Sequence, residues 1–308
     1  MCKMLDIHDL SIRFSRFQRG LKQVQTQVLH HLQLSIQAGE IVAVVGSSGS
    51  GKSLLAHAIL GILPGNAQVG GRMEFQGESL TPERQKRLRG REIALIPQSV
   101  QYLDPLMRVG RQVQQAVRQG DPAEKQQGAF RRFHLAQQVA RFFPFQLSGG
   151  MARKILISTA TVSGARLFIA DEPTPGLDAP AMQETLGRFR LLAEEGGAVM
   201  LITHDIEAAL TVADRIAVLY AGTVVEIAHR SDFAADGAGL RHPYTKALWR
   251  ALPSRQFTPI AGSQPLPGEH SGGCAFASRC GAATQECKLQ FPELRGVRNG
   301  KARCLHAT

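Results

Sequence analysis

The chain has 308 residues, 44% hydrophobic and 20% charged, and its 36 Lys plus Arg against 25 Asp plus Glu give a formal charge of +11. That balance excludes a disordered polar tail, and the lack of any apolar run near the roughly 18 to 20 residues of a spanning helix excludes an integral membrane chain. The length predicts about two domains, and the opening residues lack a secretory signal's apolar core and cleavage site, which predicts a cytoplasmic protein whose cysteines are not a disulfide framework.

Along the chain, alternating segments at 5–14 and 29–36 read as strands, and a turn at Ala38-Gly39-Glu40 leads into the continuous apolar strand Ile41–Val45. Unbroken apolar strands of this kind are buried on both faces. Gly46 to Gly51 interrupts the pattern, helical spacing resumes over 52–63, and Pro64-Gly65 stops it. A strand near 72–75 follows, then a helix-favouring region over 106–143 broken at Gly120-Asp121-Pro122. Further on, helices near 151–162, 180–195 and 207–212 alternate with strands at 166–170, 198–202, 215–220 and 223–227, the last pair hinged at Gly222. This alternation predicts an α/β domain with a mainly parallel sheet. After about residue 235 the sequence turns rich in Gly, Pro and Cys, and no internal repeat is visible.

The charge is unevenly spread. Residues 82–132 hold eleven cations, among them Arg84, Lys86, Arg87, Arg89 and Arg91, against five anions. A solvated helical surface explains such a run most simply. Nucleic-acid binding gains little from one Trp, three Tyr and no aromatic-interleaved basic motif.

Gly46-Ser47-Ser48-Gly49-Ser50-Gly51-Lys52-Ser53 fits the pattern G-x-x-x-x-G-K-S/T, placed between a buried strand and a helix. The glycines let successive amide N–H groups converge on phosphate oxygens at a helix N-terminus. Lys52 is positioned for the β and γ phosphates and the Ser53 hydroxyl for Mg²⁺. The glycine spacing does not match the dinucleotide fingerprint, so this is a nucleoside-triphosphate site. A second apolar strand ends in Asp171-Glu172. Asp171 is placed to hold Mg²⁺ and Glu172 to polarise a water facing the γ-phosphate.

Leu147-Ser148-Gly149-Gly150-Met151 resembles the signature of ATP-binding-cassette (ABC) proteins, and the family's other motifs stand around it in order. Gln98 is similar to the Q-loop, Pro175-Gly176-Leu177-Asp178 to the D-loop and His204 to the switch histidine. The resemblance implies an ABC-type nucleotide-binding domain: a RecA-like P-loop core, an antiparallel β subdomain and a helical subdomain at about 98–150, all within 1–235. It further implies catalytic Glu172, His204 and Gln98, with Gln98 also near Mg²⁺. Ser148, Gly149, Gly150 and Asp178 would contact the ATP held by a second cassette, so the chain works as a pair. The basic stretch coincides with the Q-loop and helical region that faces the permease in this family. Two residues depart from the pattern. Met151 stands where Gln is common, and Thr26 lies near the position of the aromatic that usually stacks on adenine, leaving Phe14 and Phe17 as possible substitutes.

Four cysteines close the chain, Cys274, Cys280, Cys287 and Cys304, none with a zinc knuckle's close spacing. A thiolate site for iron–sulfur, a structural zinc site and four unrelated thiols are all open readings of the residues themselves. His242-Pro243-Tyr244-Thr245-Lys246-Ala247-Leu248, Pro265-Leu266-Pro267-Gly268 and the segment from Gly273 to Cys280 resemble the C-terminal extension of oligopeptide, dipeptide and nickel importer ATPases. For residues 236–308 that resemblance implies a small extension whose cysteines hold a 4Fe–4S cluster, in preference to Zn²⁺. It also implies a D-type subunit paired with a different ATPase, two membrane permeases and an extracytoplasmic binding protein, at the cytoplasmic face of the inner membrane. The expected function is ATP hydrolysis driving uptake of peptides, nickel or a metal chelate. The alternative, a soluble ABC ATPase acting on nucleic acid or the ribosome, lacks the coiled-coil insertions or second cassette those members carry.

Overall fold

The computed structural model describes residues 3–17, 23–269 and 272–308. The chain opens with two long strands, β1 (Lys3–Phe17) and β2 (Gln23–Gln37), which pair antiparallel. Next come β3 (Ile41–Val45), α1 (Lys52–Leu60), β4 (Ala67–Phe75) and β5 (Glu78–Ser79). Strands β4 and β5 complete a small antiparallel sheet in the order β2-β1-β4-β5. After α2 (Pro82–Leu88) and β6 (Ile93–Ile96) lies a helical region with α3 (Val109–Ala116), α4 (Pro122–Arg132) and α5 (Gly149–Thr161). Then follow β7 (Leu167–Asp171), α6 (Ala179–Glu194), β8 (Ala198–Thr203), α7 (Ile206–Val212), β9 (Arg215–Tyr220) and β10 (Thr223–His229). The tail contributes α8 (Pro243–Arg250), α9 (Gln285–Leu289), β11 (Arg295–Val297) and β12 (Gly300–Ala302).

The main sheet has the order β11-β12-β10-β9-β3-β8-β7-β6. Its five strands from β9 to β6 are parallel and the other three are antiparallel additions. Burial on both faces explains the unbroken apolar run of β3. Ile41, Ala43 and Val45 point into a core shared with the helical region, while Val42 and Val44 meet Leu55 and Ile59 of α1 on the other side. Each of the Ile, Val and Leu side chains among them contributes roughly 1.5–3 kcal/mol by leaving water.

The expected helical stretch over 106–143 is shorter and more broken than its composition suggests. Helix α3 stops at Ala116, and the expected break at Gly120-Asp121-Pro122 is where α4 begins: Asp121 caps it by accepting from the Glu124 N–H, with Pro122 in the first turn. His134, in the left-handed region (φ 52°), turns the chain out of α4, and only short 3₁₀ turns follow before α5. The tail returns to the sheet, where β12 pairs with β10 through Glu226 and Ala302. Among the described residues no helix is long and apolar enough to cross a membrane.

The junction between sheet and tail is charged and buried. Arg241, 1% exposed at its side chain, sits 3.3 Å from the Glu226 carboxylate and 2.9 Å from that of Asp232. Its Nε also donates to the Val297 carbonyl of β11 at 2.7 Å. Next to it, the His242 ring caps α8 by accepting from the Tyr244 N–H at 3.0 Å, and complete burial lowers the imidazole to about 3. Between that value and the ordinary 6.5 the unfolded chain takes up a proton that the folded chain refuses. Stability contributed by neutral His242 is therefore intact above that window and is lost as pH falls through it, by at most about 1.4 kcal/mol per pH unit. Urea unfolding between pH 7 and pH 4 is expected to show a smaller acid loss for His242→Asn, which can still cap the helix, than for the native chain. Equal losses would remove His242 from the acid sensitivity.

Candidate functional site

Strand β3 delivers the chain to Gly46, and the loop wraps the N-terminus of α1. Glycine is required at two positions here: a Cβ on Gly46 would collide with the Leu219 carbonyl oxygen, and Gly51 has φ 102° with Leu29 against it. Gly222 clamps the loop from outside, donating its N–H to the Ser50 carbonyl at 3.1 Å and accepting from His30 of β2 at 2.9 Å. The expected hinge between β9 and β10 is therefore also a brace for the phosphate loop.

Lys52 is buried, and its Nζ donates to the carbonyls of Gly46 (2.9 Å) and Ser47 (3.1 Å). Burial pulls its ammonium below the ordinary value, opposed by the nearby Glu172 and Asp171 carboxylates. Asp171, at the end of β7, is raised by burial and by the Glu172 charge, against a hydrogen bond with Ser53. Its Oδ1 is buried without a hydrogen-bond partner among the described groups. An orphaned carboxylate oxygen beside a hydroxyl is a hard-oxygen pair that fits Mg²⁺.

Glu172 leaves the strand in the left-handed region (φ 46°), with its N–H donating to the Ile202 carbonyl at 2.9 Å. Backbone strain of about 1–3 kcal/mol at such a residue persists only where the surroundings hold it. Its carboxylate faces His204, which follows β8, with Nδ1 at 2.9 and 3.0 Å from the two oxygens. The Glu172 side chain is 11% exposed and that of His204 66%. Gln98, just past β6, lines the same cavity as Lys52, Ser53, Glu172 and His204.

Arg153 escaped the sequence reading. It is buried within α5 and donates from Nη1 to the carbonyls of Pro97 (3.3 Å) and Glu172 (3.2 Å), joining the backbone before Gln98 to the backbone of Glu172. The visible signal was its place on the apolar face of the helix, three and four residues before Leu156 and Ile157.

Other expected residues lie elsewhere. Ser148, Gly149, Gly150 and Asp178 do not line the phosphate-loop cavity. Ser148 caps α5 by accepting from the Met151 N–H at 3.3 Å, leaving Gly149 exposed in the first turn. Asp178 caps α6 by accepting from the Ala181 N–H at 2.8 Å. Thr26 sits on β2 directly across from Phe14, whose ring packs against the core. The side chain of Phe17 lies outside the described residues.

The four tail cysteines are free thiols lining one cavity with His242, Phe276 and His306. Burial, with charge repulsion from Cys304, Cys287 and Cys280, raises the Cys274 thiol to about 11. Among the described residues, however, no three His, Cys, Asp or Glu side chains gather closely enough to hold a metal ion.

A glycine-rich loop between a buried parallel strand and a helix, faced by the end of the strand two places along the sheet, which closes on Asp-Glu, defines a P-loop nucleoside-triphosphatase. Comparison with known proteins narrows the class. Residues 29–175 match the ABC transporter family, and residues 225–287 match the oligopeptide/dipeptide transporter C-terminal region. The chain is 32% identical over 323 residues to the dipeptide transport ATP-binding protein DppD of Escherichia coli (strain K12), covering 98% of this chain and 96% of that one. It is 35% identical over 320 residues to a probable peptide ABC transporter ATP-binding protein of Sinorhizobium fredii, covering 97% and 93%. A dimeric ATP-binding cassette, MJ0796, solved with ADP and Pi, shares the fold with a TM-score of 0.64 at 23% identity, covering 74% of this chain and 99% of that one. The chain belongs to the ATP-binding proteins of ABC transporters, in the branch that carries the oligopeptide/dipeptide C-terminal region, and is an ABC-type ATPase.

Proposed function

We propose that this chain hydrolyses ATP to energise an importer of dipeptides or oligopeptides. The observation that carries the reading is the convergence of Lys52, Ser53, Gln98, Glu172 and His204 on one cavity, in a chain similar over nearly its whole length to a dipeptide transport ATP-binding protein. Nickel and metal chelates, part of the sequence expectation, have no support among the relatives described.

In this reading the amides of 46–51 and the Lys52 ammonium hold the β and γ phosphates. Ser53 and Asp171 would hold Mg²⁺, with Gln98 beside them, and the bound ion would supply charge neutralisation for the transferring phosphoryl group. Glu172 accepts the proton of the water that attacks phosphorus as the bond to the β-phosphate oxygen breaks, giving ADP and phosphate. His204 orients the Glu172 carboxylate. Ser148, Gly149, Gly150 and Asp178, turned away from their own loop, complete the site of a facing cassette. We assign 1–235 to the ATPase domain, with its helical part at about 98–150, and 236–308 to the extension.

The same reading pairs this chain with a different ATPase subunit, two permeases and a binding protein. Tyr102, Leu106 and Phe145 are 64%, 88% and 77% exposed after the Q-loop and beside the signature, an apolar surface suited to a permease. In the purified complex, peptide-loaded binding protein is expected to raise ATP turnover several-fold over the chain alone. Stimulation by nickel with no response to peptide would overturn the substrate assignment.

For the tail thiols the reading is a 4Fe–4S cluster rather than a single metal ion, which the described side chains do not gather closely enough to hold; its support is the donor chemistry of four cysteines lining one cavity. Such a group would pin the extension, its ligation replacing the thiol protons. Protein purified without oxygen is expected to contain iron and absorb in the visible; zinc alone on elemental analysis would reverse the choice.

A further inference from the structure

Nothing in the phosphate loop explains what receives the base of the nucleotide, because Thr26 occupies the aromatic's place and Phe14 is engaged with the core. The tail supplies a surface at that point. Ser47, the second residue of the phosphate loop, donates its hydroxyl to Gln264 Oε1 at 2.5 Å, across 217 residues of sequence. The same serine lies beside the buried Tyr244 phenol, a second tail residue. Four residues beyond Gln264, a Cβ built on Gly268 (φ 92°) would lie 3.4 Å from Thr26 Cγ2. Residues 264–268 therefore run from the rim of the phosphate loop to the vacant aromatic position.

Between these anchors, Pro265-Leu266-Pro267 presents Leu266 to solvent at 65% exposure. The turn beneath it is fixed. Leu266 N–H donates to the Glu269 carboxylate at 2.8 Å, and the Glu269 N–H returns to the Leu266 carbonyl at 3.0 Å. Two prolines lower the freedom of the chain further. An exposed leucine held rigidly beside a phosphate-binding loop offers a flat aromatic ring apolar contact at small entropic cost.

We propose that the turn at 266–269 is the platform for the nucleobase, with Leu266 packing on the purine ring of the nucleotide whose phosphates the 46–53 loop binds. The C-terminal segment then forms part of the ATP site. This rests on the assignment of the loop to a nucleoside triphosphate, and Gln264 acts as a positioning residue through Ser47.

Equilibrium binding of Mg-ATP and of Mg-tripolyphosphate to the full chain tests it, because tripolyphosphate has the phosphates without the base. Leu266→Asp is expected to weaken Mg-ATP about tenfold and to leave tripolyphosphate unchanged. Gln264→Ala, which frees the segment from Ser47, is expected to weaken ATP in the same selective way. Unchanged ATP affinity in Leu266→Asp would overturn the proposal, as would equal weakening of both ligands, which would place the effect on the phosphate loop. Failure of the native chain to bind either ligand would instead sink the nucleotide-site reading beneath it.

Discussion

Replacing Glu172 by Gln is expected to lower ATP turnover at least about 100-fold, the lower end of what a positioned general base contributes, while Mg-ATP binding persists. The reasoning is geometric. Glu172 is held by its N–H on Ile202, by Arg153 on its carbonyl and by His204 on its carboxylate, so the amide takes the same place without the basicity. In the proposed function binding depends instead on the loop amides, Lys52 and the Ser53–Asp171 pair, which the change leaves intact. In the proposed function hydrolysis separates two cassettes that share ATP, so the variant with its partner ATPase is also expected to accumulate as a closed dimer with ATP, seen by size-exclusion chromatography. Turnover within a few-fold of the native value would remove Glu172 from the role of base.

The largest stability effect is expected away from the nucleotide. Arg241→Ala leaves the carboxylates of Glu226 (0% exposed) and Asp232 (7%) buried without their cation. Breaking a buried ionic cluster from one side costs about 3–5 kcal/mol, most of it the burden of the charge left behind. The guanidinium also holds the Val297 carbonyl of β11, so the tail hairpin should loosen from the edge of the main sheet. Denaturant unfolding measures the loss. The double change Arg241→Met with Glu226→Gln should recover part of it, since fewer charges remain unpaired. A loss below about 1 kcal/mol for Arg241→Ala would show that the junction is not held by this cluster.

What could be read from the sequence was what lies close together along it. The 46–53 loop, the Asp171-Glu172 strand end and the Ser148-Gly149-Gly150 cap each carry their geometry within a few residues, because backbone amides and strand ends act locally. Arg153 was missed because its partners, Pro97 and Glu172, are far away in sequence, and a lone cation in an apolar stripe does not announce which carbonyls it meets. The same holds for Gln264 on Ser47 and for β12 on β10. The break at Gly120-Asp121-Pro122 was legible because Gly and Pro punctuate locally, but the helical region was overextended past Arg132 because Gln, Ala and Arg favour helix everywhere, while its end depends on one left-handed residue at His134. Cysteine spacing carried the least: it brings four thiols to one cavity but does not state what they bind.

In the proposed function, chemistry at Glu172 moves a peptide across a membrane. Proteoliposomes containing the complete transporter, with ATP on the side of this subunit and labelled dipeptide on the side of the binding protein, test it most directly. The native complex should accumulate peptide against its gradient only with ATP, and the complex carrying Glu172→Gln should lose most of that uptake. Equal accumulation by the variant, or by the native complex without ATP, would contradict the account.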